Sequence, residues 1–294
     1  MPSNRSGGTI LATNALKAAT ATLPFQVKRP RDSPFLLAVI AMLPAQPFYS
    51  LVRTVLLNSV TSVESPGVVS YFGNFTTTPV SRRRRKLVLV HFSPEPQSPA
   101  VDGDTATVIV NDMVYRGLPF TMINITQLLN WPHPTVFTLR FEDIPAHVRV
   151  EVGEVSKASE QDLLRGINAS SPFVHKKEDT KALIEAFFTE GQEVLIETIQ
   201  VSLVCPVEKT KMRVPCRGIR CPHVQCFDAF AYLGFNESTL QPSWRCPLCS
   251  HLVFVQDIRV DLFTLDILRR AGELCFAVLI RADGRWRPVP ITAP

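Results

Sequence analysis

Residues 205–249 read CPVEKTKMRVPCRGIRCPHVQCFDAFAYLGFNESTLQPSWRCPLC, and the use of their cysteines decides the fold. The chain has seven cysteines, all between Cys205 and Cys275, and none in the first 204 residues. A disulfide framework is spread through a small secreted domain and tends to an even count, so one dense cluster points to metal instead. Zinc takes four thiolate or imidazole ligands in a tetrahedron, supplied as two short-spaced pairs. Cys246 and Cys249, two residues apart, form one pair, and Cys221 with His223 about twenty residues upstream forms the other. Three thiolates and one imidazole close the site and leave no position for a catalytic water. The expectation is one structural zinc per chain, held by Cys221, His223, Cys246 and Cys249. Cys205, Cys216 and Cys226 fit either a weaker second metal or, the favoured reading, small buried apolar side chains. His251, just past Cys249, reads as a surface residue.

Outward from the cluster, Glu193–Leu203 (EVLIETIQVSL) alternates like a strand and leads into Cys205. Before it, Glu160–Ile167 and Asp179–Phe188 place apolar residues at helical spacing, with Gly191 as a helix stop. Between Pro47 and Gly153 the runs Lys86–Phe92, Thr105–Val110, Thr135–Phe141 and His147–Val152 are rich in β-branched and aromatic residues. Pro, Gly and Asp clusters separate them at short intervals, which predicts an antiparallel sandwich or barrel. Arg82–Lys86 is five basic residues in a row, read evenly as a solvated loop or as a nuclear-import or phosphate-contacting patch. The first 31 residues carry five Lys and Arg and no acid, which suits a transit peptide or, better, a disordered tail.

Composition narrows the classes further. Of 294 residues, 46% are hydrophobic, so real cores are expected rather than a disordered chain. A net charge of +5 permits acidic partners without announcing a nucleic-acid binder. The longest apolar run, Phe35–Leu43, ends at Pro44 and is far short of the roughly 20 residues a membrane helix needs. No membrane association is expected.

The order Cys, Cys-x-His-x-x-Cys, Cys-x-x-Cys resembles a RING finger in which half the pattern fails. A first zinc would need thiols at 208 and 229, where Glu208 and Ala229 stand. That half should be held by packing and hydrogen bonds. A RING-like module keeping only its second zinc resembles the SP-RING (MIZ-type) finger of the PIAS/Siz family of SUMO ligases. Ile199–Arg217, Cys221–Phe230 and Trp244–Cys249 resemble the finger itself, and Asp257–Leu268 and Asp283–Pro288 its continuation. Pro47–Leu51 (PFYSL) and Met122–Thr126 (MINIT) resemble the ends of the family's PINIT domain, with Met122 in place of the proline. The family's DNA-binding SAP domain is not recognisable, so nucleic acid contact through it is not expected.

The resemblance implies a multi-domain α+β chain. It divides into an N-terminal extension (1–46), a PINIT-like antiparallel β-sandwich (47–158), a helical connector (159–192), the SP-RING zinc module (193–272) and a small C-terminal extension (273–294). It implies a nuclear SUMO-protein ligase, whose partners are the SUMO-conjugating enzyme, SUMO and protein substrates. The alternative is a non-catalytic nuclear scaffold or transcriptional cofactor. A ligase of this type needs no acid, base or nucleophile, because the thioester and the attacking lysine belong to other proteins; it contributes proximity and orientation. A covalent route through Cys216 or Cys275 is disfavoured, since neither has a histidine nearby in sequence. The resemblance places the conjugating enzyme on Pro206–Val207 and Pro247–Leu248, where a proline stiffens each loop and an exposed apolar residue anchors the partner. Phe227–Leu233 is expected as the central helix with its aromatics in the core, and Trp244 likewise. Trp286 suits either contact with a donor SUMO or plain packing.

Overall fold

Over its first six residues the strand Val136–Pro145 hides every second side chain: Phe137, Leu139 and Phe141 are buried while Val136, Thr138 and Arg140 are exposed. That period of two is what a strand with one face on a core requires. The computed structural model describes residues 47–61, 67–76, 86–94, 105–129, 136–189 and 197–289. These lie within one compact unit, Leu43–Pro294. Residues 1–46, the apolar run Phe35–Leu43, Arg82–Arg85 of the basic run and Gly191 fall outside the described residues.

Among the described residues nine strands precede the first α-helix: β1 (Tyr49–Val55), β2 (Asn58–Thr61), β3 (Val68–Thr76), β4 (Lys86–Pro94), β5 (Thr105–Val110), β6 (Met113–Pro119), β7 (Met122–Asn124), β8 (Val136–Pro145) and β9 (Val148–Lys157). They form two antiparallel sheets, ordered β1-β9-β4-β7 and β2-β3-β8-β5-β6. Val88, Val90, Phe92, Val150 and Val152 of the first share one buried cluster with Phe75, Val108, Phe137, Leu139 and Phe141 of the second. One carboxylate is buried on an inner strand of the first sheet. Glu154 on β9 meets Arg53 at 2.6 Å and Lys86 at 3.1 Å.

The second half alternates short helices and strands: α1 (Glu160–Gly166), β10 (Val174–His175), α2 (Lys177–Thr189), β11 (Ile199–Ser202), β12 (Pro215–Gly218), β13 (Phe227–Asp228), α3 (Ala229–Glu237), β14 (Ile258–Asp261), α4 (Leu262–Arg270), β15 (Ala277–Ile280) and β16 (Trp286–Pro288). Helix α1 begins where the Ser159 hydroxyl accepts the Asp162 amide at 3.1 Å, a side-chain N-cap. The two helices of residues 159–192 lie where the apolar spacing puts them. Between them, however, β10 pairs in parallel with β14, in a sheet ordered β10-β14-β12-β13. The C-terminal strands β15 and β16 close in turn on β11. Strands β10, β15 and β16 are thus stitched into the sheets of the cysteine-rich module. No helix among the described residues is long and apolar enough to cross a membrane.

The β layer and the cysteine-rich module share a core. Phe48, Tyr49, Leu89 and Val155 are buried in one cluster with Phe227, Tyr232, Leu233 and Trp244. Polar contacts pin the seam. The Trp244 indole N–H donates to the Met122 carbonyl at 3.0 Å, and the Asn124 amide donates to the Glu237 carbonyl at 3.1 Å. The Glu237 carboxylate takes the Lys157 ammonium at 2.6 Å and accepts the Tyr49 hydroxyl. Burial, and then the Glu237 charge, push the Tyr49 phenol well above its ordinary value, so it stays a donor.

Candidate metal centre and docking loops

Two loops of like backbone frame the site. In the first, the Cys205 amide bonds the Thr210 carbonyl at 2.8 Å and the Lys209 amide returns to the Cys205 carbonyl at 2.9 Å. In the second, the Cys246 amide bonds the His251 carbonyl at 2.8 Å and the Ser250 amide the Cys246 carbonyl at 3.0 Å. Each loop is closed by an isolated bridge, Val204 to Lys211 and Arg245 to Leu252. Each also turns on a left-handed residue four after its cysteine, with φ 61° at both Lys209 and Ser250. The first loop therefore repeats the zinc-knuckle backbone with Glu208 where the second has Cys249.

Only the second loop has donors to share. The Cys221, Cys246 and Cys249 sulfurs and a His223 ring nitrogen lie within 4.8 Å of one another, the one metal-type cluster among the described residues. Cys221 and Cys249 sulfurs are 3.7 Å apart, and His223 Nε2 is 3.2 Å from the Cys246 sulfur. Thiolates at about 2.3 Å from a tetrahedral zinc sit about 3.8 Å from each other, so the donor set fits that ion. The histidine is oriented for the task. Its Nδ1 lies 2.7 Å from the Gln225 carbonyl, which can only accept, so Nδ1 carries the proton and the Nε2 lone pair faces the sulfurs. The exposed His251, on the surface as expected, brings a ring nitrogen to 3.5 Å from the Cys249 sulfur. The Cys246 thiol is held down to about 3, chiefly by the hydrogen bond from Cys221, while the Cys221 thiol is pushed up by Cys246 and by burial. Three close thiols cannot all ionise unaided; a dication in their midst removes that conflict.

Sequence reasoning missed the residues that hold this frame. A Cβ on Gly218 would meet Val253 Cγ2 at 2.5 Å and the Cys221 sulfur at 3.0 Å, so only glycine lets β12 pass the ligand. Arg217, also on β12, is buried. It donates to Asp261 at 2.7 Å, to Thr180 of α2 at 3.0 Å and to the His223 carbonyl at 3.1 Å. Asp261 accepts from Thr180 as well, at 2.7 Å, and caps α4 through the Thr264 amide at 2.7 Å. Nothing in the sequence marks Arg217 among 31 basic residues.

The half without donors is held by a carboxylate. Asp228, buried, accepts the Arg213 and Val214 amides at 2.8 and 2.9 Å with one oxygen and the Phe230 and Ala231 amides at 2.9 and 3.2 Å with the other. Its own amide donates to the Cys205 sulfur at 3.3 Å. An Asp before an apolar run is a legible helix N-cap signal. It moves the start of the central helix from the anticipated Phe227 to Ala229. Cys205, Cys216 and Cys226 are wholly buried and belong to the same apolar cluster. Burial raises the Cys216 thiol well above its ordinary value and raises Cys226 too, so both remain neutral. Trp244 is core, as expected, whereas Trp286 is half-buried with the Arg270 guanidinium 5.6 Å above its ring.

The four docking-loop residues are not equally exposed. Pro247 and Leu248 stand out from the second loop, Leu248 at 41% exposure. Pro206 and Val207 are half-buried, and Val207 packs against the core cluster. The expectation of two exposed apolar anchors is corrected at Val207, whose half-buried side chain packs on the core cluster.

A partly buried Cys3His cluster at the second of two like knuckles, with the first half of the pattern held by a carboxylate, has the makeup of a half-RING zinc module. Residues 201–252 match the MIZ/SP-RING zinc finger, and the chain carries that finger. Among curated proteins it is similar to the E4 SUMO-protein ligase PIAL1 of Arabidopsis thaliana, 44% identical over 87 residues, which are 30% of this chain and 10% of that protein. It is similar also to the E3 SUMO-protein ligase PIAS3 of Mus musculus, 30% identical over 176 residues, 58% of this chain and 27% of that one. The chain thus spans only 10% to 27% of the length of these relatives. The crystal structure of the S. cerevisiae SUMO E3 ligase SIZ2 overlays 83% of this chain and 99% of its own, at 21% identity and a TM-score of 0.45.

Proposed function

We propose that the chain is a SUMO-protein ligase that binds the SUMO-charged conjugating enzyme through its finger and orients the thioester for attack by a substrate lysine. The observation that carries the reading is the convergence of Cys221, His223, Cys246 and Cys249 at the second of two like knuckles, inside a segment matching the MIZ/SP-RING finger. The names of the relatives supply the partners: SUMO, its conjugating enzyme and protein substrates. A nucleus is the place such a reading assigns.

One zinc per chain would be held by those four residues, and its contribution is a cross-link that fixes the loops. Pro247 and Leu248 present the exposed half of the docking surface, and Pro206 and Val207 the half that leans on the core. The buried, neutral Cys216 thiol, and the Cys275 thiol that donates to the Ala277 carbonyl at 3.3 Å, support a route with no covalent ligase intermediate, because only a thiolate attacks a thioester. The acceleration then comes from holding a flexible donor in its reactive pose. The PINIT-like β domain would be the substrate-facing part, joined to the finger through the seam at Trp244 and Glu237.

Single-turnover discharge of SUMO from the conjugating enzyme onto free lysine tests this. The full chain should accelerate discharge. Leu248→Ala should lower it about tenfold, as losing an exposed anchor worth about 1–2 kcal/mol requires, with metal content and melting temperature unchanged. Absence of acceleration with retained partner binding would replace the ligase with the scaffold reading.

A further inference from the structure

A groove of about 700 Å³ runs between α2, α4 and β16, away from the knuckles. Five of its lining residues are basic, Lys177, Lys181, Arg270, Arg285 and Arg287, and one, Asp266, is acidic. Asp266 is shared by Lys177 at 3.1 Å and Arg270 at 3.2 Å, while Arg285 pairs with Asp283 at 2.6 Å. Lys181 and Arg287 have no carboxylate within ion-pair distance among the described residues. The surplus of positive charge is therefore concentrated at those two positions. Lys181 is also held in place. A Cβ on Gly284, at φ +79°, would meet its Cγ at 3.2 Å, so its stem lies against the turn that leads into β16.

We propose that this groove binds an extended acidic segment of a partner protein. Two features besides charge select that occupant. First, β16 is the outer strand of its sheet. The Arg281 amide bonds the Arg285 carbonyl and the Val289 amide the Ala277 carbonyl, so alternate residues face β15 and the peptide group of Trp286 faces outward. Among the described residues this edge is unpaired, and the Trp286 peptide group with the Pro288 carbonyl, Pro288 having no N–H, suits a short added strand whose main chain pairs while its side chains reach the walls. Second, the Trp286 ring already carries the Arg270 guanidinium on one face. A single-stranded nucleic acid relies on free aromatic platforms for its bases, and that platform is taken. The chain's own residues 1–46 cannot supply the charge either, with Asp32 as their sole acid against five Lys and Arg.

The proposal is independent of the ligase reading and is tested without SUMO. Fluorescence anisotropy of a labelled glutamate-rich peptide, with the full zinc-loaded chain at low salt, should show saturable binding that weakens as salt rises. Lys181→Gln with Arg287→Gln should weaken it about tenfold, about threefold for each partly exposed pair lost, with metal content and melting temperature unchanged. Should that pair perturb the fold, Arg287→Glu alone, on an exposed side chain, should weaken binding by more than the neutral change. Equal affinity in the stable double variant would overturn the proposal. So would tighter binding of an oligonucleotide of equal charge, or no saturable binding of the peptide.

Discussion

Asp228→Ala is the sharpest test of how a half-RING stands without its first metal. The carboxylate satisfies four backbone amides, two in the strand approach at Arg213 and Val214 and two in the first turn of α3. Losing an N-cap of this kind costs about 1 kcal/mol. The Val214 amide, in a wholly buried residue, is left without an acceptor, at about 1–3 kcal/mol; the Arg213 amide, nearer solvent, costs less. The sum is about 3–4 kcal/mol, a large share of the roughly 5–15 kcal/mol that keeps a domain folded. Asp228→Asn retains one acceptor but turns an amide donor toward two other donors, so it should lose more than half as much. Urea unfolding of the zinc-loaded chain reads both through the shift in midpoint at constant slope. Metal content in native buffer should not change, because none of the four donors is touched. A loss under about 1 kcal/mol, or a second metal released on chelation, would refute the view that hydrogen bonds hold this half.

Elemental analysis should find one zinc per chain, and Cys246→Ser should unfold the finger, since metal binding in such modules is coupled to folding by about 10–16 kcal/mol; two zincs would contradict it. Arg217→Ala should cost about 3–5 kcal/mol in urea unfolding, because it strands the buried Asp261 carboxylate, whereas Thr180→Val should cost only about 1 kcal/mol. Glu154 is buried, which alone would raise its carboxyl, but the Arg53 and Lys86 contacts win and lower it below its ordinary 4.5. Its stabilising share is therefore complete above that value and drains away as pH falls through the lowered folded-state value. Glu154→Gln should flatten the acid limb of the stability-against-pH curve, and an unchanged slope would show the pairs to be inert.

Spacing alone picked out the four donors that the fold brings together. A tetrahedral ion demands soft donors in two short-range pairs, and Cys221, His223, Cys246 and Cys249 satisfy that demand locally, so their sequence numbers carry the chemistry. The strands of the first half and the helices near 160 and 180 were legible for the same reason, as periods of two and of 3.6 are properties of neighbouring residues. The replacement for the missing metal was half legible: Glu208 and Ala229 announce the absence, but an aspartate gathering amides from Arg213 to Ala231 exists only once the chain folds back. The buried Arg217–Asp261–Thr180 triad, the Glu237 seam and the lean of Val207 onto the core join residues tens to hundreds of positions apart. Burial and partner are tertiary quantities, and a charged residue's letter is the same in solvent as under a sheet. The groove at β16 belongs to the same class: Lys181 and Arg287 are 106 positions apart in sequence and become one surface only through the packing of α2 on the C-terminal strands.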